Sequence, residues 1–543
     1  MIGKQPAAWW LSSVLFALIF VFIFLLHAFL LPLPYFWDEA GYYIPAARDI
    51  LLTGSLIPHS TVSNAHPPLV LAWLALWWKI AGYAPEVTRS AMILIAAFAL
   101  LGVFRLAERV ANKKVAIAST LCTALYPVFF MQSSLAHVDL AAAGLTFWGL
   151  AAYVEDQVLV AAFWFALAGL AKETAILAPL ALIAWEILGF FAGKNFVNEK
   201  PRIGDGLEKT SFKSMLPVTA LLISILPLAL WYGYHYARKG YVFGNPEFFR
   251  YNVSATLSPT RFVLALGLRL WQICGYLHLW VLALAAFLAI WLLPPVREFG
   301  LERPRISLPQ QMKLYVVITA YVVTMAMIGG AVLARYMLPA VPLVIILCIS
   351  TLWRRTRYWA AVVALVALGF VTAWFWNPPY GFALEDNLAY RDYVRLHEDG
   401  ERFLEARYPM AKVLTAWPAS DEITRPWLGY ITRPMRVTRI EDFSVDQVFS
   451  AAQSSSDYDV ALIFSTKYEP GRVFWDRWVG FARMKAAWKS RYFGYHRDLP
   501  PASAASILGG RIVYLERRHG QWIAVIERQR IEQAERRAPD LQF

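Results

Sequence analysis

Residues 7–43 read AAWWLSSVLFALIFVFIFLLHAFLLPLPYFWDEAGYY, and the way this stretch begins and ends decides the fold. Positions 7–36 carry no charge and a single histidine, His27. A cleaved signal peptide has an apolar region of only about 7–15 residues, whereas about 20 apolar residues cross a bilayer. The stretch therefore reads as an uncleaved first membrane span. It ends in two adjacent carboxylates, Asp38 and Glu39, set among aromatic side chains at the expected bilayer boundary. The rest of the chain agrees: of 543 residues, 58% are hydrophobic and only 16% are charged, which excludes a soluble protein.

Ten more apolar segments follow, at about 88–108, 114–134, 137–154, 157–171, 173–192, 214–236, 270–293, 314–334, 336–353 and 358–376. The expectation is a polytopic α-helical membrane protein of about 11 transmembrane helices. With the N-terminus inside, 17 of the 27 Lys and Arg of residues 1–376 fall on cytoplasmic connections, five of them in 194–213. Glu155 and Asp156 in an inner turn, and the basic outer loop 237–262, run against the rule. Segment 67–82 is apolar enough to mimic a span, but counting it would reverse every later loop. It reads instead as an amphipathic surface helix in a structured outer loop 35–87, started by Pro67 and Pro68 and carrying Trp73, Trp77 and Trp78 at the interface.

After Trp376 the composition turns mixed and charged, so 1–376 is expected as the membrane domain and 377–543 as a soluble extracytoplasmic α+β domain. Strands are expected at Lys412–Trp417, Asp459–Phe464 and Arg511–Leu515. A turn at Arg518, His519 and Gly520 leads into Gln521–Ile526 as a hairpin, with helices near 386–407 and 470–490 and a disordered polar tail at 529–543. Residues 1–376 hold 27 basic and 16 acidic residues, and so supply most of the net charge of +13. That asymmetry is a topology signal and not a nucleic-acid footprint. Cys122, Cys274 and Cys348 lie in apolar stretches without paired spacing, which supports neither a zinc site nor a disulfide framework.

A charge at the centre of a membrane helix costs about 2.5–3.5 kcal/mol, so isolated ionisable residues at span ends call for a reason. Four places stand out: Asp38 with Glu39, Asp139, Lys172 with Glu173, and Arg335. The topology sets all four at one outer face, where they are expected to meet in a single pocket. A carboxylate there can act as general base, and an Arg without an adjacent carboxylate suits phosphate oxygens. Each has a plainer account: helix capping for Asp38, Glu39 and Asp139, a self-satisfied pair for Lys172 and Glu173, a rim-marking Arg335. His66, ahead of the diproline, either binds phosphate, orients a carboxylate or hydrogen-bonds within its loop. Arg238 and Lys239 of the basic outer loop add cations.

The order Trp37-Asp-Glu-Ala-Gly-Tyr42, His66-Pro-Pro-Leu69, Ala171-Lys-Glu-Thr174 and Arg335-Tyr-Met-Leu-Pro339 resembles the GT-C glycosyltransferases of the protein O-mannosyltransferase type. That group includes the bacterial aminoarabinose transferases acting on lipid A, and the likeness spans about residues 8–350. The resemblance implies a polyprenyl-phosphate-linked sugar donor, an active site on the outer face of the inner membrane, and inverting displacement onto a hydroxyl of a lipid, glycan or protein acceptor. It implies that Asp38 is the catalytic aspartate and Glu39 the second acidic position. Lys172 and Arg335 would then stabilise the departing lipid phosphate, with Asp139 and His66 orienting substrates and Tyr42 stacking on the sugar. The aminoarabinose enzymes carry Lys where this chain has His66. The scheme needs no cofactor; a divalent metal is admitted but not required. Two other classes compete: a transporter or flippase of an anionic or sugar-linked lipid, opposed by charges gathered at one face, and a membrane anchor for the C-terminal domain, for which eleven spans are excessive.

Overall fold

A computed structural model describes residues 9–191, 216–246, 249–250, 253, 256–453, 458–470 and 478–528. The basic connection 194–213 and the polar tail 529–543 lie outside these residues. The chain forms two compact units. The first comprises Met1–Pro32, Tyr42–Asn377 and Glu385–Asn387, and the second Leu33–Gly41, Pro378–Leu384 and Leu388–Phe543.

The first unit is helical, and a helix or a pair of helices lies on each apolar segment. Five stretches among the described residues are by themselves long and apolar enough to cross a membrane: Trp10–Leu30, Pro85–Val110, Glu173–Phe191, Leu216–Lys239 and Pro259–Leu292. They differ in depth. The apolar window of Pro85–Val110 is 67% buried, so this helix is central, whereas that of Trp10–Leu30 is 22% buried and turns Trp10, Leu18 and Leu25 outward. So much exposed apolar surface is stable only against lipid. The central helix packs on Asp139–Val154 through small residues: a Cβ on Gly144 would lie 2.6 Å from the Ala99 Cβ, so only glycine permits this approach.

The connection after the first apolar helix is folded. It contains the helices Ile44–Thr53 and Leu69–Ala81, the latter entered through Pro68. Asp49 accepts from the backbone N–H groups of His59 (2.6 Å) and Ser60 (2.8 Å), and Trp231 donates to the Ala65 carbonyl (2.9 Å), which fixes the chain just before His66. Two of this connection's tryptophans bond to the neighbouring helix. Trp73 donates to the Ala91 carbonyl (3.0 Å) and Trp78 to the Thr88 hydroxyl (2.8 Å), because both indoles face the neighbouring helix Pro85–Val110.

The run Pro259–Leu292 begins well ahead of the expected span at 270 and is broken at Leu277 (φ 46°) and His278 (φ 69°). The break directs the Tyr276 hydroxyl to Asp386 (2.6 Å) and His278 to the Gly369 carbonyl (2.7 Å). It also places Arg261 and Arg269 on the buried face of the helix Pro259–Cys274, whose other face exposes Val263, Leu268 and Leu270.

The second unit is α+β. Its five-stranded sheet has the order Arg436–Ile440, Lys412–Ala416, Val460–Phe464, Gln521–Arg528, Gly510–Arg518. The first three strands are parallel, and Gln521–Arg528 runs antiparallel to both of its neighbours. Val460–Phe464 is buried at all five positions, as its continuous apolar run requires of a central strand. Positive φ at His519 (44°) and Gly520 (86°) forms the two-residue hairpin turn between Arg518 and Gln521. The helix Ala389–Arg407 corresponds to the segment expected near 386–407. The strand Arg436–Ile440 and the helices Val445–Gln453 and Pro501–Leu508 escape the sequence reading.

Candidate active site

Lys172 and Arg335 both sit where helices break. Lys172 is extended (φ −153°, ψ 136°) between the helix Val158–Ala171 and the 3-10 turn Glu173–Ile176, and Arg335 lies in the 3-10 turn Ala334–Met337. Chain that leaves the helix swings these side chains inward. Lys172 Nζ reaches Asp139 Oδ1 at 2.5 Å, and Arg335 Nε lies 3.5 Å from Asp139 Oδ2. Asp139 is the first residue of its helix and its side chain caps nothing; its carboxylate goes to the two cations. All three are nearly solvent-free, which also removes the rim-marking account of Arg335.

One expectation fails. Arg335 lacks a carboxylate beside it in sequence, yet its Nη1 meets Glu385 Oε2 at 2.5 Å across 50 residues. A buried guanidinium without a partner is prohibitively costly, and the fold supplies one from the segment Glu385–Asn387. Lys172 and Glu173 are no self-satisfied pair either. Glu173 Oε2 lies 3.1 Å from His66 Nδ1, and His66 packs against the rings of Tyr42 (5.6 Å) and Tyr43 (6.0 Å). Tyr43 continues to His137 (5.7 Å), whose Nδ1 is 3.3 Å from Arg335 Nη1. His66, Tyr42, Asp139, Lys172, Glu173 and Arg335 thus form one connected network.

The ring of Tyr336 gathers the cations. Lys172 Nζ lies 4.2 Å from its centroid, Arg269 5.5 Å and Arg335 5.7 Å. Arg269 is fully buried, donating to the Met325 carbonyl (3.1 Å), the Leu333 carbonyl (2.7 Å) and Gln272 (2.8 Å), while its Nη2 has no hydrogen-bond partner among the described residues. Sequence reading missed Arg269, Tyr336 and Glu385. A charge inside the apolar run Pro259–Cys274 was the available signal for Arg269, but the span was drawn to begin one residue beyond it. Arg238 and Lys239 stay apart. They are exposed in the last turn of Leu226–Lys239, with Arg238 over its own helix's Tyr234 (5.6 Å).

Asp38 and Glu39 belong to the second unit. Glu39 is fully buried and its carboxylate accepts from the Phe36 N–H (2.8 Å), closing the turn Phe36–Glu39; Asp38 is half-buried. Trp37, at φ 42°, packs on Trp417 (5.2 Å) and Tyr393 (5.6 Å). A Cβ on Gly41 would lie 2.5 Å from the Trp417 ring, so glycine is required there.

Residues 65–204 match the family described as dolichyl-phosphate-mannose-protein mannosyltransferase. No curated protein sequence matches the chain. Among solved structures, the crystal structure of ArnT from Cupriavidus metallidurans bound to undecaprenyl phosphate is similar at 12% identity, with a TM-score of 0.55 over 96% of this chain and 98% of that one. The apo state of the same enzyme is similar at 13% identity, with a TM-score of 0.53 over the same shares. The chain is a multi-pass membrane glycosyltransferase with the GT-C fold. Residues 65–204, the part that matches the mannosyltransferase family, carry His66, Asp139, Lys172 and Glu173.

Proposed function

We propose that the enzyme moves a sugar from a polyprenyl-phosphate carrier to an acceptor hydroxyl at the extracytoplasmic face, with inversion at the anomeric carbon. The observation that carries this reading is the buried set around Tyr336. Lys172 and Arg335 pair with two carboxylates, Asp139 and Glu385, whereas Arg269 beside them has no carboxylate partner among the described residues and is the cationic surplus at this ring. A sugar phosphodiester bears one negative charge, and its cleavage leaves a phosphate monoester that bears more. A fixed cationic surplus favours the departing state over the bound one, which is the differential stabilisation that catalysis needs.

Asp38 takes the proton from the acceptor hydroxyl as that oxygen attacks the anomeric carbon, and the polyprenyl phosphate leaves from the opposite face of the ring. One displacement gives inversion. Glu39 holds the turn that presents Asp38, and so acts as a positioning residue. Glu173 fixes His66, and His66 with Tyr42 and Tyr43 offers an aromatic, hydrogen-bonding wall for the sugar. Likeness to an enzyme crystallised with undecaprenyl phosphate supports a lipid carrier of that class.

The test is transfer from a labelled polyprenyl-phosphate sugar in detergent. Asp38→Asn is expected to abolish turnover while donor binding and thermal stability stay near wild type. Turnover within a few fold of wild type would remove Asp38 from its role.

A further inference from the structure

The second unit holds a group of ionisable side chains that glycosyl transfer does not use. In the helix Ala389–Arg407 the buried stripe passes through Tyr393, His397, Gly400, Glu401 and Leu404. The spacing of four sets His397 and Glu401 side by side on the face that should be wholly apolar. Glu422, the last residue of the short helix Ala419–Glu422, meets them there. His397 Nδ1 lies 2.6 Å from Glu422 Oε2 and 3.4 Å from Glu401 Oε1, and one ligand atom from each residue lies within 4.8 Å of the others. Exposure is 1% for His397 and 0% for both glutamates.

Two buried carboxylates need compensation, and the protein supplies little. Neither Glu401 nor Glu422 has an ion pair or hydrogen bond with any Lys or Arg among the described residues, and both oxygens of Glu401 and Oε1 of Glu422 have no hydrogen-bond partner there. The surroundings are aromatic: the His397 ring stacks on Tyr393 (4.0 Å) and meets the edge of Phe464 (4.5 Å). Charges this deep persist only when paired or when they coordinate a metal. An imidazole with two carboxylates and no thiolate is a donor set for zinc, manganese or ferrous iron. Ligand atoms around a tetrahedral ion with bonds of about 2.0–2.2 Å stand about 3.3–3.6 Å apart, so the 3.4 Å spacing already fits and the 2.6 Å one opens by less than about 1 Å.

We propose that His397, Glu401 and Glu422 bind one divalent first-row transition-metal ion, a structural site of the second unit. The ion sits beneath the segment that carries Asp38. Tyr393, stacked on His397, also packs against Phe36 (5.2 Å) and Trp37 (5.6 Å) of the same unit. Burial implies that the metal enters during folding and exchanges slowly.

The experiment uses the full-length protein, purified in detergent through a tag that needs no metal resin, with elemental analysis for zinc, manganese and iron. About one equivalent per chain is expected, retained through dialysis and absent from Glu401→Gln. Protein stripped with a strong chelator should melt several degrees lower and regain its Tm with zinc or manganese chloride. Glu401→Gln also mimics a protonated Glu401. A metal-free wild type whose Tm ignores added metal, with Glu401→Gln as stable as wild type, would show that the two glutamates share a proton instead and would overturn the proposal. Should the variant fail to fold, metal content and metal-dependent Tm of the wild type decide alone. Loss of transfer on stripping tests the link to Asp38 and rests on the function proposed above; the metal content does not.

Discussion

Arg335 is at once a structural ion-pair partner and the proposed ligand of the lipid phosphate, and a double substitution separates the two roles. At an effective dielectric of about 20, unit charges at the 2.5 Å Arg335–Glu385 separation attract by about 7 kcal/mol. Desolvation of two buried ions, several kcal/mol each, offsets most of that, so the pair as a whole contributes little. Removing one member is different, because it leaves the other buried and uncompensated. Arg335→Met should therefore cost about 3–5 kcal/mol, read as a clear fall in Tm in detergent. Arg335→Met with Glu385→Leu should recover most of this loss, since Asp139 keeps Lys172. Transfer should not recover with it. Loss of one charge-assisted hydrogen bond to phosphate costs about 1.5–3 kcal/mol, and about 1.4 kcal/mol is tenfold in rate, so the folded double variant should transfer about ten- to a hundredfold more slowly. A double variant that folds and transfers at the wild-type rate would refute the phosphate role and leave Arg335 as a structural partner of Glu385 and Asp139.

Arg269→Gln should weaken donor binding by about tenfold or more, the worth of a charged hydrogen bond, measured by displacement of labelled polyprenyl phosphate; an unchanged affinity removes Arg269 from the phosphate site. Gly41→Val should cost about 1–3 kcal/mol through overpacking against Trp417, read as a lower Tm, and Trp417→Leu in the same chain should return part of it. Glu405 is held below the usual glutamate range: burial opposes this, but hydrogen bonds from the Thr432 hydroxyl and the N–H groups of Thr432 and Arg433 prevail. A depressed carboxyl stabilises the fold above the unfolded pKa of about 4.3 and loses that contribution as pH falls through its folded value. Glu405→Gln should thus be less stable than wild type at pH 7, with the difference shrinking as pH falls below the unfolded pKa of about 4.3, followed by denaturant unfolding.

The sequence by itself determined that the chain is a multi-pass helical membrane protein, because apolar length is a local quantity that the bilayer reads directly. Strand and hairpin signals in 412–526 were legible for the same reason. It also picked out Asp139, Lys172 and Arg335, since a charge in an apolar run is conspicuous wherever it folds. Only the tertiary structure decided their partners. Glu385 lies in an ordinary charged segment, Tyr336 reads as one more aromatic, and Arg269 fell just outside a span drawn from hydropathy; nothing local ties any of them to the others. His397, Glu401 and Glu422 were passed over likewise, since the first two look like the polar face of a charged helix until packing shows that face to be buried. Pairing between distant side chains is set by the cost of leaving a charge dry and alone, and that cost exists only once the chain has closed around it.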